Sequence, residues 1–157
     1  MPIKDFEDLV CWRLSHELKC EVWALIASPP AANDFDFCTQ IRKSSRSAPA
    51  NISEGFGRFA PRDFANDLRI AKASLKETRN HLIDARDSGY IRDPLYSRLA
   101  NLARAAEKAT TGLLVQKLRQ ADALDAAHHR NRRPPHRPES DVEPTPQKHP
   151  PRDRKGS

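Results

Sequence analysis

The sequence predicts an all-α protein, an antiparallel up-down-up-down four-helix bundle. Four segments of about 20 residues place apolar residues at three- and four-residue steps, as one face of an α-helix requires. The connections between these segments are short, at about eight, four and four residues, which favours antiparallel packing of consecutive helices. No segment alternates apolar and polar residues with the two-residue period of a β-strand, so no sheet is expected.

The first predicted helix runs from about Asp5 to Ala27 and ends at Ser28-Pro29-Pro30, because proline lacks the amide hydrogen that a helix needs. Its apolar stripe is Cys11, Leu14, Leu18, Val22 and Leu25. The second predicted helix begins near Asp36 and stops near Gly55-Phe56-Gly57. Pro49 interrupts it, but a helix can continue through a proline with a kink at the loss of about one hydrogen bond. Its periodic face is Phe37, Ile41, Ser44, Ser45, Ala48 and Ile52.

The third predicted helix has the clearest pattern. It starts at Pro61, which suits a first helical turn, and stops at Ser88-Gly89. Its core face follows a heptad spacing: Phe64, Leu68, Ala71, Leu75, Thr78, Leu82 and Ala85. The fourth opens at Asp93-Pro94, an N-cap followed by proline, and continues to about Ala123. Its stripe is Leu95, Leu99, Leu102, Ala106, Ala109 and Leu113.

Composition divides the 157 residues into a bundle over 1–124 and a tail over 125–157. From residue 126 onward, three of 32 residues are apolar and seven are proline. Such a segment cannot bury enough apolar surface to offset its ordering entropy, so the tail is predicted to be disordered. Residues 126–157 contain eight Lys+Arg and four Asp+Glu, which supply +4 of the net charge of +6 and leave the bundle nearly neutral. The tail is either a mobile cationic arm or a solubilising end.

Several function classes are excluded or disfavoured by composition. No stretch of 18 apolar residues could span a membrane, and the first ten residues lack the apolar centre of a signal peptide, so a cytoplasmic location is expected. The five glycines form neither GxGxxG nor a P-loop. Cys11, Cys20 and Cys38 match neither CxxC nor a zinc spacing, which favours reduced thiols, although a pair of Cys38 with Cys11 or Cys20 stays open.

No catalytic, cofactor-binding or metal-binding residue is predicted. His16 and Glu17 do not continue into HExxH. Glu77 and His81 stand four residues apart, whereas ferritin-like carboxylate bundles need Glu-x-x-His on two helices and further Glu residues. A helix-surface hydrogen bond is therefore the favoured interpretation of Glu77 and His81. No spacing selects a nucleophile and a base, so we expect a protein that is not an enzyme, with an enzyme as the runner-up class.

Nine basic residues are the candidate nucleic-acid contacts. They lie on the second and third predicted helices and the turn between them, and four of them step 3-4-3 beside the core face of the third. If the two helices are neighbours, a basic surface forms that can bind phosphate backbones without reading sequence. The alternative is a solvated face whose charge is balanced by nearby acids. The nine residues are Arg42, Lys43, Arg46, Arg58, Arg62, Arg69, Lys72, Lys76 and Arg79.

Two tryptophans are candidates for a subunit interface. Trp12 and Trp23 are 11 residues apart, about three helical turns, so they share one face of the first predicted helix. This face belongs either to the bundle core or to an interface between subunits, where aromatic residues are enriched.

Short motifs in the first three predicted helices, and one just before the fourth, match the sequence pattern of a known family. They are Asp5-Phe6-x-x-Leu9 with Trp12, His16-Glu17-Leu18, Gln40–Ser45, Ala48–Gly55, Asp63-Phe64, Ser74–Thr78 and Gly89-Tyr90-Ile91. Together they resemble bacterial four-helix-bundle proteins encoded within intervening sequences of 23S ribosomal RNA genes. The most specific stretch is Gln40-Ile41-Arg42-Lys43-Ser44-Ser45 with Pro49-Ala50-Asn51-Ile52-Ser53-Glu54-Gly55, which is similar to the family signature "QIRRA…SIPSNIAEG" in register. The resemblance covers about residues 3–120.

This resemblance implies a bundle that assembles as a homopentamer, a ring of five identical subunits. The sequence is also similar to the accessory protein of diversity-generating retroelements, a protein that binds nucleic acid and a reverse transcriptase through a basic surface. We therefore expect an oligomeric protein that binds RNA or DNA, possible partners being itself, nucleic acid and a protein such as a reverse transcriptase. The alternative is a protein-interaction scaffold with no nucleic-acid contact.

The family-motif residues are interpreted as structural, and they are Trp12, Pro49, Asn51, Glu54 and Gly55. Pro49 frees the carbonyl near Ser45, and the amide of Asn51, with neighbouring hydroxyls, can satisfy the broken backbone groups. Glu54 can pair with a nearby arginine or a neighbouring subunit. The alternative interpretation is that Asn51 and Glu54 form a polar site on a distorted helix.

Overall fold

The computed structural model describes residues 3–131 and contains four α-helices with no strand in that range. They are α1 (Val10–Leu25), α2 (Phe35–Phe56), α3 (Pro61–Asp87) and α4 (Asp93–Asn131). Short 3-10 turns at Phe6–Asp8 and Ala31–Asn33 precede α1 and α2. Asp5 accepts a hydrogen bond from the Phe6 amide and caps the first turn, so α1 begins at Val10 rather than near Asp5. The predicted all-α class is confirmed.

One core lies between the four helices. α1 packs on α2 and α4, and α3 packs on the same two helices. All seven predicted core positions of α3, from Phe64 to Ala85, are buried. The largest fully buried apolar side chains come from all four helices: Leu18, Val22, Ile41, Ile52, Leu68, Leu75, Leu82 and Leu99. The contacts between α2 and α3 run in opposite numerical order, since Ser44 meets Thr78 and Ser47 meets Ser74.

α2 remains helical through Pro49, as the sequence predicts, and Pro49 itself is buried. The helix is capped by Asp34, whose carboxylate accepts from the Phe37 amide at 2.9 Å and from the Tyr90 hydroxyl at 2.7 Å. These two bonds, the amide first, lower the pKa of Asp34. The Tyr90 hydroxyl thereby ties the loop after α3 to the start of α2.

α4 continues to Asn131, past the predicted end near Ala123, so residues 125–131, which were assigned to the disordered tail, are helical. No proline follows Pro94 until Pro134, and the intervening Ala126 and Ala127 favour a helix. Arg62 also binds Asp122 and Asp125 at 3.1 and 2.7 Å. A segment with few apolar residues can still be helical. The composition of residues 125–131 indicates only that they bury little surface. The remaining predicted tail, 132–157, lies outside the described residues.

The three cysteines are free thiols. Cys11 and Cys38 are buried, whereas Cys20 is exposed. Burial raises the pKa of Cys11 to about 11, which keeps this thiol protonated at neutral pH. Within residues 3–131, no helix has the length and hydrophobicity needed to cross a membrane.

Candidate nucleic-acid interface

Three of the nine predicted basic residues line grooves, and these grooves lie between different pairs of helices. α2 and α3 are neighbours, as the prediction requires, but they meet through buried hydroxyl groups rather than beside a shared row of cations. Arg46 lines a groove between α1 and α2, whereas Lys72 and Lys76 line a groove between α3 and α4. Arg46 therefore does not share a groove with Lys72 and Lys76, and a nucleic-acid surface formed by all nine residues stays a prediction.

The α3/α4 groove is open, about 400 Å³ in volume, and lined mainly by cations. Lys72 and Lys76 enter it from α3, and Arg104 and Lys108 enter it from α4. In each helix the two cations are four residues apart, so they lie one above the other on the same face. Lys72 is half-buried, and the other three are exposed.

The charges of this groove are not balanced within the described chain. None of these four cations forms an ion pair with another residue among 3–131. Arg104 donates only to the neutral side-chain oxygen of Asn101, at 3.0 Å. Glu107 is the one carboxylate among the lining residues, and it pairs with Arg79 at 3.0 Å. The groove is therefore a concentration of positive charge with open access to solvent.

Three of the nine predicted contacts are engaged in ion pairs inside the chain. Arg58 binds the exposed Glu54 at 2.7 Å and the buried Asp67 at 3.3 Å. Arg62 joins the start of α3 to the far part of α4, and hydrogen bonds with Asp125 and Asp122 raise its pKa. Arg79 joins α3 to Glu107 of α4, whose side chain is only 14% exposed. These three arginines stabilise the fold and are less available to a ligand.

The remaining six are more accessible to a ligand. They are Arg42, Lys43, Arg46, Arg69, Lys72 and Lys76, and none forms an ion pair with a residue that the structure describes. Arg69 donates to the amide oxygen of Asn66 at 2.7 Å, a neutral partner that leaves its charge uncompensated.

Two cations of the α3/α4 groove, Arg104 and Lys108, were not predicted from the sequence. They form an i, i+4 basic pair on the fourth helix, which is the signal that could have identified them. From the sequence alone this pair does not predict a basic surface, because the acidic Glu107 lies between the two cations. The structure is needed to show that both cations lie on the flank of α4 that faces α3.

Gly55, a family-motif residue, permits a close approach of α2 to α3. A Cβ atom at this position would lie 2.4 Å from Cδ2 of Phe64, well inside contact distance. Glu54, the preceding residue, pairs with Arg58. Both residues therefore act at the junction between the end of α2 and the start of α3.

Asn51 makes local bonds to the backbone of α2. Its side-chain amide donates to the Ser47 carbonyl at 2.8 Å and lies 3.1 Å from the Ser47 hydroxyl. The expected partner was the carbonyl freed near Ser45, so the carbonyl that Asn51 binds is two residues further along. The hydroxyls of Ser45 and Ser53 donate to the carbonyls of Arg42 and Ala50. None of these bonds reaches the Ser45 carbonyl, so the predicted repair of the backbone at Pro49 is not made by these side chains, and the structural role of the motif stays a prediction.

The two tryptophans have different surroundings. Trp12 is half-buried, stacks on His16 with ring centroids 4.7 Å apart, and contacts Phe6 edge-on at 5.1 Å. Trp23 is 41% exposed, and its ring lies 5.5 Å from the ammonium of Lys19. Trp12 is thus held by partners inside the chain, whereas much of Trp23 faces solvent.

His81 does not form the predicted hydrogen bond with Glu77. Its Nε2 lies 3.9 Å from the Glu77 carboxylate, beyond hydrogen-bond reach, and has no partner in the described part of the chain. Its Nδ1 lies 3.5 Å from Asp84. Over residues 3–131, no three His, Cys, Asp or Glu side chains are grouped as metal ligands would be.

Comparisons with known proteins agree with this architecture. The family model described as "23S rRNA-intervening sequence protein" matches residues 7–112, which include α1 to α3 and the first half of α4. A crystal structure from Bacteroides thetaiotaomicron, of a protein with unknown function from the S23 ribosomal protein family, is similar with a TM-score of 0.62. The two chains are 24% identical over 67% of this chain and 98% of that chain, a likeness that shows the fold alone. No curated protein matches the chain.

Proposed function

The chain belongs to the 23S rRNA-intervening sequence protein family, and we propose that it is a non-enzymatic, cytoplasmic, oligomeric protein that binds nucleic acid through basic helix faces. The observation that carries this proposal is the α3/α4 groove, where Lys72, Lys76, Arg104 and Lys108 converge with no carboxylate paired to them among the described residues. Cations that are exposed and unpaired can bind the phosphates of nucleic acid. This binding releases counterions that are condensed on the nucleic acid, and their release favours the complex.

The fold itself makes little use of these four charges. Arg58, Arg62 and Arg79 stabilise the junctions between helices, whereas the cations of the α3/α4 groove contact no carboxylate that would hold them in place. No aromatic side chain lines this groove in the part of the chain that the structure describes. The groove therefore suits the phosphate backbone, and we expect binding there with little dependence on base sequence.

The proposal includes an antiparallel up-down-up-down bundle and a homopentameric ring. Two observations support the antiparallel arrangement. The contacts Ser44–Thr78 and Ser47–Ser74 run in opposite numerical order along α2 and α3. Glu21, near the end of α1, binds Arg98, near the start of α4. Exposed apolar side chains support a subunit contact, among them Trp23 at 41% and Val10 at 54% exposure. In a ring each groove repeats five times, so contacts that are weak in one subunit combine through effective concentration.

Light scattering tests the ring. The expected mass is five times the 17.8 kDa of the monomer. A monomer mass at micromolar concentration would rule out the ring and leave the groove to be tested on the single chain.

Fluorescence anisotropy with a labelled structured RNA and a labelled duplex DNA tests nucleic-acid binding. We expect binding at about 50 mM salt that weakens steeply toward about 200 mM, because counterion release depends on salt concentration. Absence of binding to both probes at about 50 mM salt would overturn the proposed function.

A protein-interaction scaffold is the second candidate function, and exposed phenylalanines favour it. Phe59 in the turn between α2 and α3 is 106% exposed, and Phe35 at the start of α2 is 79% exposed. Exposed aromatic side chains are common at protein contacts, and a reverse transcriptase is one possible partner. Pull-down with and without nuclease separates the two functions, since a scaffold keeps its protein partner after nuclease treatment.

A further inference from the structure

The groove between α1 and α2 differs in chemistry from the α3/α4 groove. It is open and about 310 Å³ in volume, near the lower end of the usual size range for small-molecule sites. Trp12, His16 and Lys19 line it from α1, and Arg46 and Pro49 line it from α2. It thus combines aromatic rings with cations, whereas no aromatic ring lines the α3/α4 groove among the described residues.

The aromatic part of this groove is a fixed stack. The rings of Trp12 and His16 lie 4.7 Å apart and 19° from parallel. Phe6 packs edge-on against Trp12, with the ring planes 67° apart and the centroids 5.1 Å apart. All three rings are partly exposed in the groove rather than enclosed in the core. A flat ring such as a nucleobase can extend this kind of stack.

The cationic part of the groove stands on both walls. Lys19 extends from α1 and Arg46 from α2, and neither forms an ion pair with a residue in the range 3–131. No carboxylate is among the lining residues. A ligand that fits has a flat ring to extend the stack and a negative charge for the two cations.

We infer that the α1/α2 groove binds one unpaired nucleotide, its base against the Trp12–His16 stack and its phosphate near Lys19 and Arg46. This inference rests on the proposed function and names the ligand class more narrowly, as a strand of RNA or DNA that contains unpaired nucleotides. Bases in an uninterrupted duplex are already stacked on each other and cannot enter the groove. The α3/α4 groove then holds the backbone, and the α1/α2 groove selects for unpaired bases.

The fluorescence of Trp12 reports on the stack directly. The substitution Trp23→Phe leaves Trp12 as the only tryptophan in the full-length chain. At about 50 mM salt, where phosphate contacts are strongest, we expect a single-stranded oligouridylate to quench Trp12 emission and a blunt-ended duplex to leave it unchanged. Quenching by neither probe, while anisotropy shows that both bind, would overturn the inference.

Substitution of Arg46 tests the same groove by affinity. Arg46→Gln is expected to weaken binding of the single strand about tenfold and to leave duplex binding unchanged. Arg13→Gln is the matched control, because it removes the same charge from an exposed residue of α1, the other wall of the groove, but Arg13 does not line the groove and is not one of the predicted contacts. His16→Ala shortens the stack and is expected to act like Arg46→Gln. Arg46 is exposed, so its variant carries the test if His16→Ala fails to fold.

The combined variant Lys72→Gln and Lys76→Gln separates this inference from the proposed function. It is expected to weaken binding of both single strand and duplex. If it does so while Arg46→Gln leaves single-strand affinity unchanged, the inference fails and the proposed function stands. If the unaltered protein binds neither probe, both fail.

If a neighbouring subunit or a protein covers the groove, acrylamide does not quench Trp12 in the free protein, and this result also overturns the inference.

Discussion

The two flanks of α3 have opposite chemistry. Toward α2, the hydroxyls of Thr78 and Ser44 are hydrogen-bonded at 3.0 Å, and those of Ser74 and Ser47 at 2.8 Å. Toward α4, the ammonium groups of α3 meet the basic side chains of α4 across an open groove. One helix therefore has hydrogen-bonded hydroxyls on its α2 flank. On its α4 flank it has two lysines, Lys72 and Lys76, with no carboxylate partner among the described residues.

This difference has a physical cause. Burial of a hydroxyl costs free energy unless it is hydrogen-bonded, so the α2 flank needs its partners in place. An exposed cation keeps its hydration and needs no partner in the fold. Substitutions on the α2 flank should therefore lower stability, whereas substitutions of the groove lysines should change ligand binding only.

Gly55→Ala is expected to have the largest effect on stability. The added methyl would lie 2.4 Å from Phe64 at the junction of α2 and α3, and overpacking of this kind costs about 1–3 kcal/mol in the free energy of unfolding. Urea unfolding measures the change. Gly112→Ala in α4 is the matched control, since a Cβ there meets nothing within 4 Å. The control should raise stability by up to about 1 kcal/mol, because alanine is the better helix former. Equal effects of the two substitutions would mean that the contact at Gly55 is not tight.

The hydroxyl pair of Thr78 and Ser44 should give the next largest effect. Thr78→Val keeps the shape of the side chain but removes its hydrogen bonds with Ser44 and with the Ser74 carbonyl. We expect a loss of about 1 kcal/mol in the free energy of unfolding. A double-mutant cycle with Ser44→Ala should show a coupling of about 0.5–1 kcal/mol. Strict additivity of the two substitutions would contradict a direct interaction between the hydroxyls.

The smallest stability effects are expected on the α4 flank, and there they should differ between two cations of α3. Arg79→Gln removes the partner of Glu107, a carboxylate with a side chain that is 14% exposed, and should lower stability by up to about 1 kcal/mol. Lys76→Gln should change it by less than about 0.5 kcal/mol, because Lys76 is exposed and has no ion-pair partner in the described chain. Thermal unfolding compares the two. A greater loss in Lys76→Gln would show that the fold depends on the groove charges.

Much of the fold follows from periodicity. The heptad spacing from Phe64 to Ala85 identifies the core face of α3 because burial repeats with the helical turn. Proline and glycine positions predict most helix ends, because these residues interrupt or end a helix through their own backbone properties. The predicted end of α4 is too early because the low apolar content after residue 125 indicates little burial, whereas Ala126, Ala127 and the absence of proline before Pro134 still favour a helix.

The candidate site was only partly predictable. Helical spacing identifies Lys72 and Lys76 as a pair, but which neighbouring helix they face depends on the rotation of α3 in the bundle. For this reason Arg104 and Lys108 were missed, and Arg46 was grouped with lysines that lie in a different groove. The ion pairs of Arg58 and Arg79 also depend on contacts between helices, which the spacing within one helix does not encode.

The salt dependence of nucleic-acid binding tests the central claim most directly. The variant Lys72→Gln with Lys76→Gln is compared with Arg62→Gln with Arg98→Gln, which removes the same charge from two exposed arginines that are already ion-paired. The slope of log Kd against log salt should fall by about 2 in the groove variant and stay near that of the unaltered protein in the control. Equal slopes in the groove variant and the unaltered protein would contradict the assignment of the α3/α4 groove as the phosphate-binding surface.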